Sequence, residues 1–263
     1  MDAFLSILKS LPMAYVQGLL GSGVWIVLAY VLVWRVFKPR LQRWRIQLRE
    51  RADYVQIRSE IKNALLTSIV GTLTSSFILY MSSMGYTKLY FNMADYGPIW
   101  SIGGLFVLWL IDDAWFYWVH RTLHHKSIYR FIHRIHHDSI DVTPFTSLSF
   151  HMVESFLLTA WFIPAAFIIP IWIPALGVLQ LIGLFNNIKS HLGYELYPTW
   201  VNKGPLRFLV TSTHHNMHHS KFQGNYGLHF RFWDRLCGTE FEEYSDTFNE
   251  IKARSPETVV VAK

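Results

Sequence analysis

The chain has 263 residues, 51% of them hydrophobic and only 16% charged, where a soluble domain carries about a quarter, so an ordinary water-soluble domain is excluded. The net charge of +6 is concentrated: nine Lys/Arg stand against three acids between Arg35 and Lys62, which fits a basic loop beside a membrane and not a nucleic-acid surface. One cysteine, Cys237, excludes an internal disulfide framework and thiolate metal clusters, leaving nitrogen and oxygen as metal ligands.

Residues 15–37 are apolar for most of their length and predict a first spanning helix, since about 20 such residues cross a bilayer. Lys38-Pro39 ends it. The N-terminus has no basic n-region, so a removable signal peptide is not expected. Residues 40–61 place Leu41, Trp44, Leu48 and Val55 on one stripe with arginines opposite, which predicts an amphipathic helix at the lipid surface. Residues 63–85 read as a second span. The loop 86–97 carries only Lys88 and Asp95. Residues 98–119 read as a third span, ending in W-F-Y-W-V just before His120. The apolar stretch 155–188 holds Pro164, Pro170 and Pro174 and predicts a bent hairpin that enters and leaves on one side. Residues 189–263 are more polar and should lie outside the lipid. The expectation is an all-α integral membrane protein: about three spanning helices plus a bent helical hairpin, in one domain over 1–263. Placing 38–62 in the cytoplasm brings the third span back to that side at His120. A cytoplasmic helical cap would then carry the histidines, in a bacterial inner membrane or the endoplasmic reticulum. The terminal VVVAK has no dilysine retrieval pattern.

All 13 histidines lie between His120 and His229. Most fall in three boxes: H-R-T-L-H-H (His120, His124, His125), H-R-I-H-H (His133, His136, His137) and H-H-N-M-H-H (His214, His215, His218, His219). Residues three and four apart share one helical face, so each box can aim two or three imidazoles at one point. Imidazole is the commonest side-chain metal ligand near neutral pH. A lone histidine is more often a packed core residue, which is the reading for His151 and His229. Repeated x-x-H-H spacing is a different matter. A catalytic zinc needs three ligands and a structural one four, whereas these boxes supply enough for two ions. Two redox metals at the end of apolar helices suit oxygen chemistry on a lipid. The alternatives are a haem-binding or a non-catalytic metal-binding membrane protein. Haem would want single, well-separated histidines within spans. A transport module would want ionisable groups there, and apart from Asp112 and Asp113 the spans carry almost none. No H-E-x-x-H is present for a zinc hydrolase.

Several stretches resemble the fatty acid hydroxylase/sterol desaturase superfamily of membrane histidine-box di-iron oxygenases. They are DDAWFYWVHRTLHH (112–125), IYRFIHRIHHDS (128–139), TPFTSLSFH (143–151), HLGYE (191–195) and HHNMHHSKFQGNYGLHFRFWDRLCGTE (214–240). The resemblance implies a catalytic region over 112–240, between membrane and interfacial helices (1–111) and a C-terminal tail (241–263). It implies two iron ions (Fe2+/Fe3+) with O2 as co-substrate, zinc replacing iron on isolation. The substrate would be a fatty acyl or sterol-like lipid from the bilayer, and the electron donor a separate cytochrome b5-like or ferredoxin-like protein. The metal ligands it implies are His120, His124, His133, His136, His137, His191, His215, His218 and His219, with His125 as the alternative to His124 and His214 outside the pattern. Met152 departs from the many relatives with Pro there. Asp113, seven residues before His120 and on the same helical face, is the candidate catalytic-site acid. It is expected to accept the free N–H of a ligand imidazole, or else to be a buried helix acid paired with Arg121 or a neighbour. Asn225-Tyr226-Gly227 and Trp233-Asp234-Arg235 are expected to hold the last box in place.

Overall fold

The first helix, α1 (Asp2–Ala29), runs without interruption into a π-helical stretch over Tyr30–Val36. The structure is a computed structural model that describes residues 2–49 and 52–255; the terminal VVVAK lies outside the described residues. The π turns swing Trp34 inward, where its indole Nε1 donates to Leu192 O at 2.8 Å.

Beyond Phe37 the chain makes one short turn, α2 (Lys38–Leu41), and a 3-10 turn over Gln42–Trp44, then runs irregularly to Arg49. The surface helix expected over 40–61 does not continue across 42–49. Arg45 explains this. Its fully buried guanidinium pairs with Asp141 Oδ2 at 2.5 Å and lies 4.5 Å from the Trp34 ring centroid. Ile46 N donates to Gly193 O and Glu195 N to Trp44 O, so this backbone pairs with a distant loop instead of coiling. A buried charge must be paired, and that demand overrides the helical stripe. Val55, the stripe's last member, belongs to the next helix.

That helix, α3 (Tyr54–Ser83), is capped by Asp53, whose Oδ1 accepts from Gln56 N. It starts nine residues before the apolar run. Thirty residues at 1.5 Å each make about 45 Å, against a hydrocarbon core of roughly 30 Å. Its first turns therefore stand clear of the lipid. There Glu60 is buried and accepts from the hydroxyls of Ser139, Thr143 and Thr146 at 2.6–2.8 Å. A two-residue strand, β1 (Leu89–Tyr90), precedes α4 (Gly97–Leu123). Two single turns follow, α5 (Lys126–Tyr129) and α6 (Arg134–His137).

The apolar stretch breaks into α7 (Met152–Thr159), α8 (Phe162–Ile168), β2 (Ile171–Trp172) and α9 (Ile173–Ser190). It is the bent hairpin expected from its prolines. Its apex pairs in parallel with β1, Leu89 opposite Ile171, so it reaches down to the loop between α3 and α4. Leu108, Trp161, Ala165, Ile171 and Leu179 pack together between α4 and the hairpin. The remaining helices are α10 (Ser212–Lys221), α11 (Phe232–Leu236) and α12 (Tyr244–Ala253). Through Arg254 the C-terminal segment is no loose tail: Tyr244 and Phe248 pack against Met217 of α10.

Three stretches are long and apolar enough to cross a membrane: Phe4–Val36, Tyr54–Ser83 and Gly97–Leu123. Only 11, 22 and 28% of their most apolar windows is buried within the protein, so most of that surface is left for lipid. The fold is a helical membrane protein with a polar-cored cap at the end of α4.

Candidate metal centre

The cap brings the nine histidines named above into two groups. His120, His124, His133, His137 and His218 form one; His136, His191, His215 and His219 form the other, and within each group the ligand atoms all lie within 4.8 Å of one another. Helical geometry explains the sorting. On α4, α6 and α10 the residues four apart (120/124, 133/137, 215/219) stay on one face and enter the same group. The residues offset by three, His136 on α6 and His218 on α10, point across to the opposite group. So α6 and α10 each serve both groups. His191 arrives at the C-cap of α9.

The hydrogen bonds of the rings fix where their lone pairs point. His120 Nδ1 lies 2.8 Å from Tyr226 O, His136 Nδ1 3.1 Å from Ser149 O, and His191 Nδ1 2.8 Å from Asn187 O. His218 Nδ1 lies 2.7 Å from Gly224 O, and His219 Nδ1 3.0 Å from Ser139 O. A carbonyl can only accept, so each of these Nδ1 atoms carries the proton. His133 Nδ1 meets Glu154 Oε1 at 2.6 Å. Burial, first, and the neighbouring imidazoles, second, hold His133, His137, His215, His218 and His219 well below the ordinary imidazole value. Burial lowers His136 likewise, takes His191 to about 4 and His124 to about 2. These rings are neutral at pH 7, and the Nε2 atoms opposite the bonded Nδ1 atoms are bare.

The Nε2 atoms face each other, and in the pairs His120–His133 and His136–His191 both are bare. His120 and His133 approach Nε2 to Nε2 at 3.1 Å, His124 and His133 at 2.9 Å, His124 and His218 at 3.2 Å. In the second group His136 and His191 approach at 3.4 Å, and His191 and His215 at 2.9 Å. His219 Nε2 is buried without a partner. Two bare nitrogens cannot bond each other, and a buried acceptor without a donor costs roughly 1–3 kcal/mol. A cation between them removes that cost. Nitrogens about 2.0–2.1 Å from one ion stand roughly 3 Å apart, the separation seen here. The residues fit two nitrogen-bound metal ions.

The last box is held by a tight turn. Asp234 accepts from Tyr226 N, Gly227 N and Thr239 Oγ1, all at 2.8 Å, and burial raises its carboxyl to about 6. Asn225 donates to His214 O and accepts from Phe241 N. Gly224 has φ of +140°, and a Cβ there would sit 2.8 Å from Thr239 O. This turn presents Gly224 O to His218 and Tyr226 O to His120, so the N-Y-G and W-D-R segments do hold the box.

Other expected residues lie elsewhere. His125 is exposed and caps α5, with Nδ1 accepting from Ser127 N. His214 is buried beside Asp234, 3.6 Å away, and joins neither group. His229 is buried too, its Nε2 2.9 Å from Asp112 Oδ2. Asp113 reaches no candidate ligand and does not pair with Arg121. Its Oδ1 accepts from the backbone N–H of His229 and Phe230, both at 3.0 Å. The backbone that follows α10 meets the carboxylate at His229 and Phe230, so Asp113 pairs with neighbouring backbone and not with a ligand ring. The carboxylate that meets a candidate ligand imidazole is Glu154 of α7. Its signal in the sequence was an acid in an apolar run, three residues after His151.

Such a fold and site define a class: a helical membrane protein with two buried histidine clusters able to hold metal. The chain belongs to the fatty acid hydroxylase family, whose model matches residues 105–239, just over half of it. It is similar to a Delta(7)-sterol 5(6)-desaturase of Gibberella zeae, 27% identical over 88% of this chain and 69% of that one. It is similar also to lathosterol oxidase of Rattus norvegicus (35% identical over 59% of this chain and 51% of that one) and to methylsterol monooxygenase 1 of Gallus gallus (30% over 66% and 60%). The chain thus spans between 51% and 69% of the length of these relatives. No solved structure matches it significantly.

Proposed function

We propose that this chain is a membrane-bound di-iron oxidoreductase that uses O2 to hydroxylate or desaturate a lipid. The observation that carries the reading is the facing of bare imidazole nitrogens in both groups, His120 with His133 and His136 with His191. His120, His124, His133, His137 and His218 would hold one ion, and His136, His191, His215 and His219 the other. Iron there would supply the redox chemistry with O2 that an unactivated C–H bond requires. Zinc can replace it on isolation, since nitrogen sites generally bind zinc more tightly than Fe(II).

The protein's own residues prepare the site. Glu154 and the carbonyls of Tyr226, Ser149, Asn187, Gly224 and Ser139 fix ring orientation and tautomer. Burial keeps the rings neutral and excludes water. The groups lie at the end of α4, so the substrate reaches them from the bilayer. The relatives' names favour a sterol-like lipid over a fatty acyl chain. Electrons come from a separate cytochrome b5-like or ferredoxin-like protein.

The basic segment 35–62 supports a cytoplasmic cap. A lone cysteine reporter at Asp138, which is exposed beside the second box, should be labelled only from the cytoplasmic side; labelling from the other side overturns the orientation. The function is tested by mass spectrometry of lipids from cells with and without the protein. A product heavier by one oxygen or lighter by two hydrogens names substrate and reaction together. An unchanged lipid profile with a metal-loaded protein and a reducing donor present would sink the reading.

A further inference from the structure

Phe222 stands in a backbone conformation that its side chain disfavours. It follows α10 with φ 70° and ψ −37°, in the left-handed half of the map, while its N–H donates to His218 O at 2.7 Å. Glycine is the residue that occupies such a position after a helix without a Cβ penalty. A bulky residue held there points to a use for the side chain.

The ring's surroundings supply that use. Its centroid lies 5.3 Å from His137 and 6.4 Å from Tyr129. The Tyr129 ring in turn lies 5.5, 5.8 and 6.0 Å from His124, His137 and His133. Lys221 and Gln223, on either side of Phe222, are exposed, while His133, His137 and His218 are buried. Phe222 and Tyr129 are each half-buried, forming the layer between water and the five-histidine group. Lys221 pairs with Glu243 and so ties down the residue just before the ring.

We propose that Phe222, with Tyr129, is the solvent-side cover of the five-histidine group: it keeps water and small chelators from that metal, and the strained backbone is kept because the ring is needed there. The four-histidine group lies outside this cover. The inference rests on the reading that both groups hold metal.

The two are separable by a measurement that needs no turnover. The full-length protein is loaded with Co2+, and metal release to excess EDTA is followed by the cobalt absorption. In Phe222→Gly the backbone is relieved and the ring is gone. One equivalent of cobalt should then leave about 10–100-fold faster, comparable to the loss of affinity when an outer partner of a metal ligand is removed, while the other leaves at its original rate. Phe222→Leu, which restores apolar bulk but not the ring, should fall between. Tyr129→Ala should speed the same equivalent. Wild-type release from Phe222→Gly, equal acceleration of both equivalents, or loss of the fold in that variant would each overturn the cover. Failure of the wild type to bind two cobalt ions would instead overturn the metal reading on which it rests.

Discussion

The spanning helices and the histidine cap are built in opposite senses. Along α4, Ile99 is 90% exposed, while in the cap His218 is completely buried. In the spans apolar side chains face outward, because lipid is as apolar as they are and there is no hydrophobic gain in turning them inward. In the cap, imidazoles, carboxylates and hydroxyls fill the interior and satisfy one another. Position in the bilayer and position of the histidine groups are thus determined separately: lipid decides the first, and a buried polar network decides the second.

The largest test of that separation removes a ligand. His137→Ala and His218→Ala should each abolish lipid product and empty the five-histidine group, yet the protein should insert and keep its helices. Metal content and product are measured at matched expression. If either variant fails to insert, the spans depend on the cap after all.

Acid should divide the two regions next. The cap imidazoles are held below their ordinary value of about 6.5. The native cap thus binds fewer protons than the unfolded chain between that value and the lowered ones. Its stability is complete above about pH 6.5 and is lost as pH falls from there toward the lowered values. Metal release and loosening of the cap should begin below about pH 6.5 and be steep, because many rings protonate together, while the spans stay helical. Near-UV circular dichroism with a metal indicator would follow the cap, and far-UV the spans. A release midpoint well above pH 7 would contradict the burial argument.

Glu154→Ala should have a smaller effect. It leaves His133 Nδ1 without its acceptor and frees the ring to turn. Outer partners of this kind are typically worth 10–100-fold in metal affinity. Titration with Co2+ should show that loss in the five-histidine group alone. An equal loss in both groups would show that α7 supports the cap generally.

The spans and the ligand candidates were legible because each depends on a local pattern: a run of apolar residues, or histidines three and four apart. What failed to be legible depends on contacts across the chain. The stripe Leu41, Trp44, Leu48 gives no sign that Arg45 lies buried against Asp141, which is 96 residues on. The helical face shared by Asp113 and His120 was real, but the returning backbone at His229 and Phe230 takes the carboxylate. Glu60 and Glu154 meet their serine, threonine and histidine partners only through the fold. The division of nine imidazoles into five and four also depends on how α6 and α10 sit between the two groups, which spacing alone leaves open.

The smallest effect on the metals should come from His229, and it tests where the cap ends. His229 joins neither group; its Nε2 meets Asp112 Oδ2 at 2.9 Å, and Asp112 also accepts from Trp161 Nε1 at 2.9 Å. The pair joins α4, the hairpin and the segment before α11, and is thus a structural clasp. His229→Ala should keep both metals and much of the activity. It leaves a carboxylate oxygen of a spanning helix without its donor, a loss of about 1–3 kcal/mol, visible as a lower unfolding midpoint in detergent. Removing the charge as well should recover part of that loss, so the double variant His229→Ala/Asp112→Asn should unfold later than His229→Ala alone. If His229→Ala empties the metal groups as completely as His218→Ala does, the clasp is part of the centre and the boundary between structural and ligating histidines must be redrawn at Asp112.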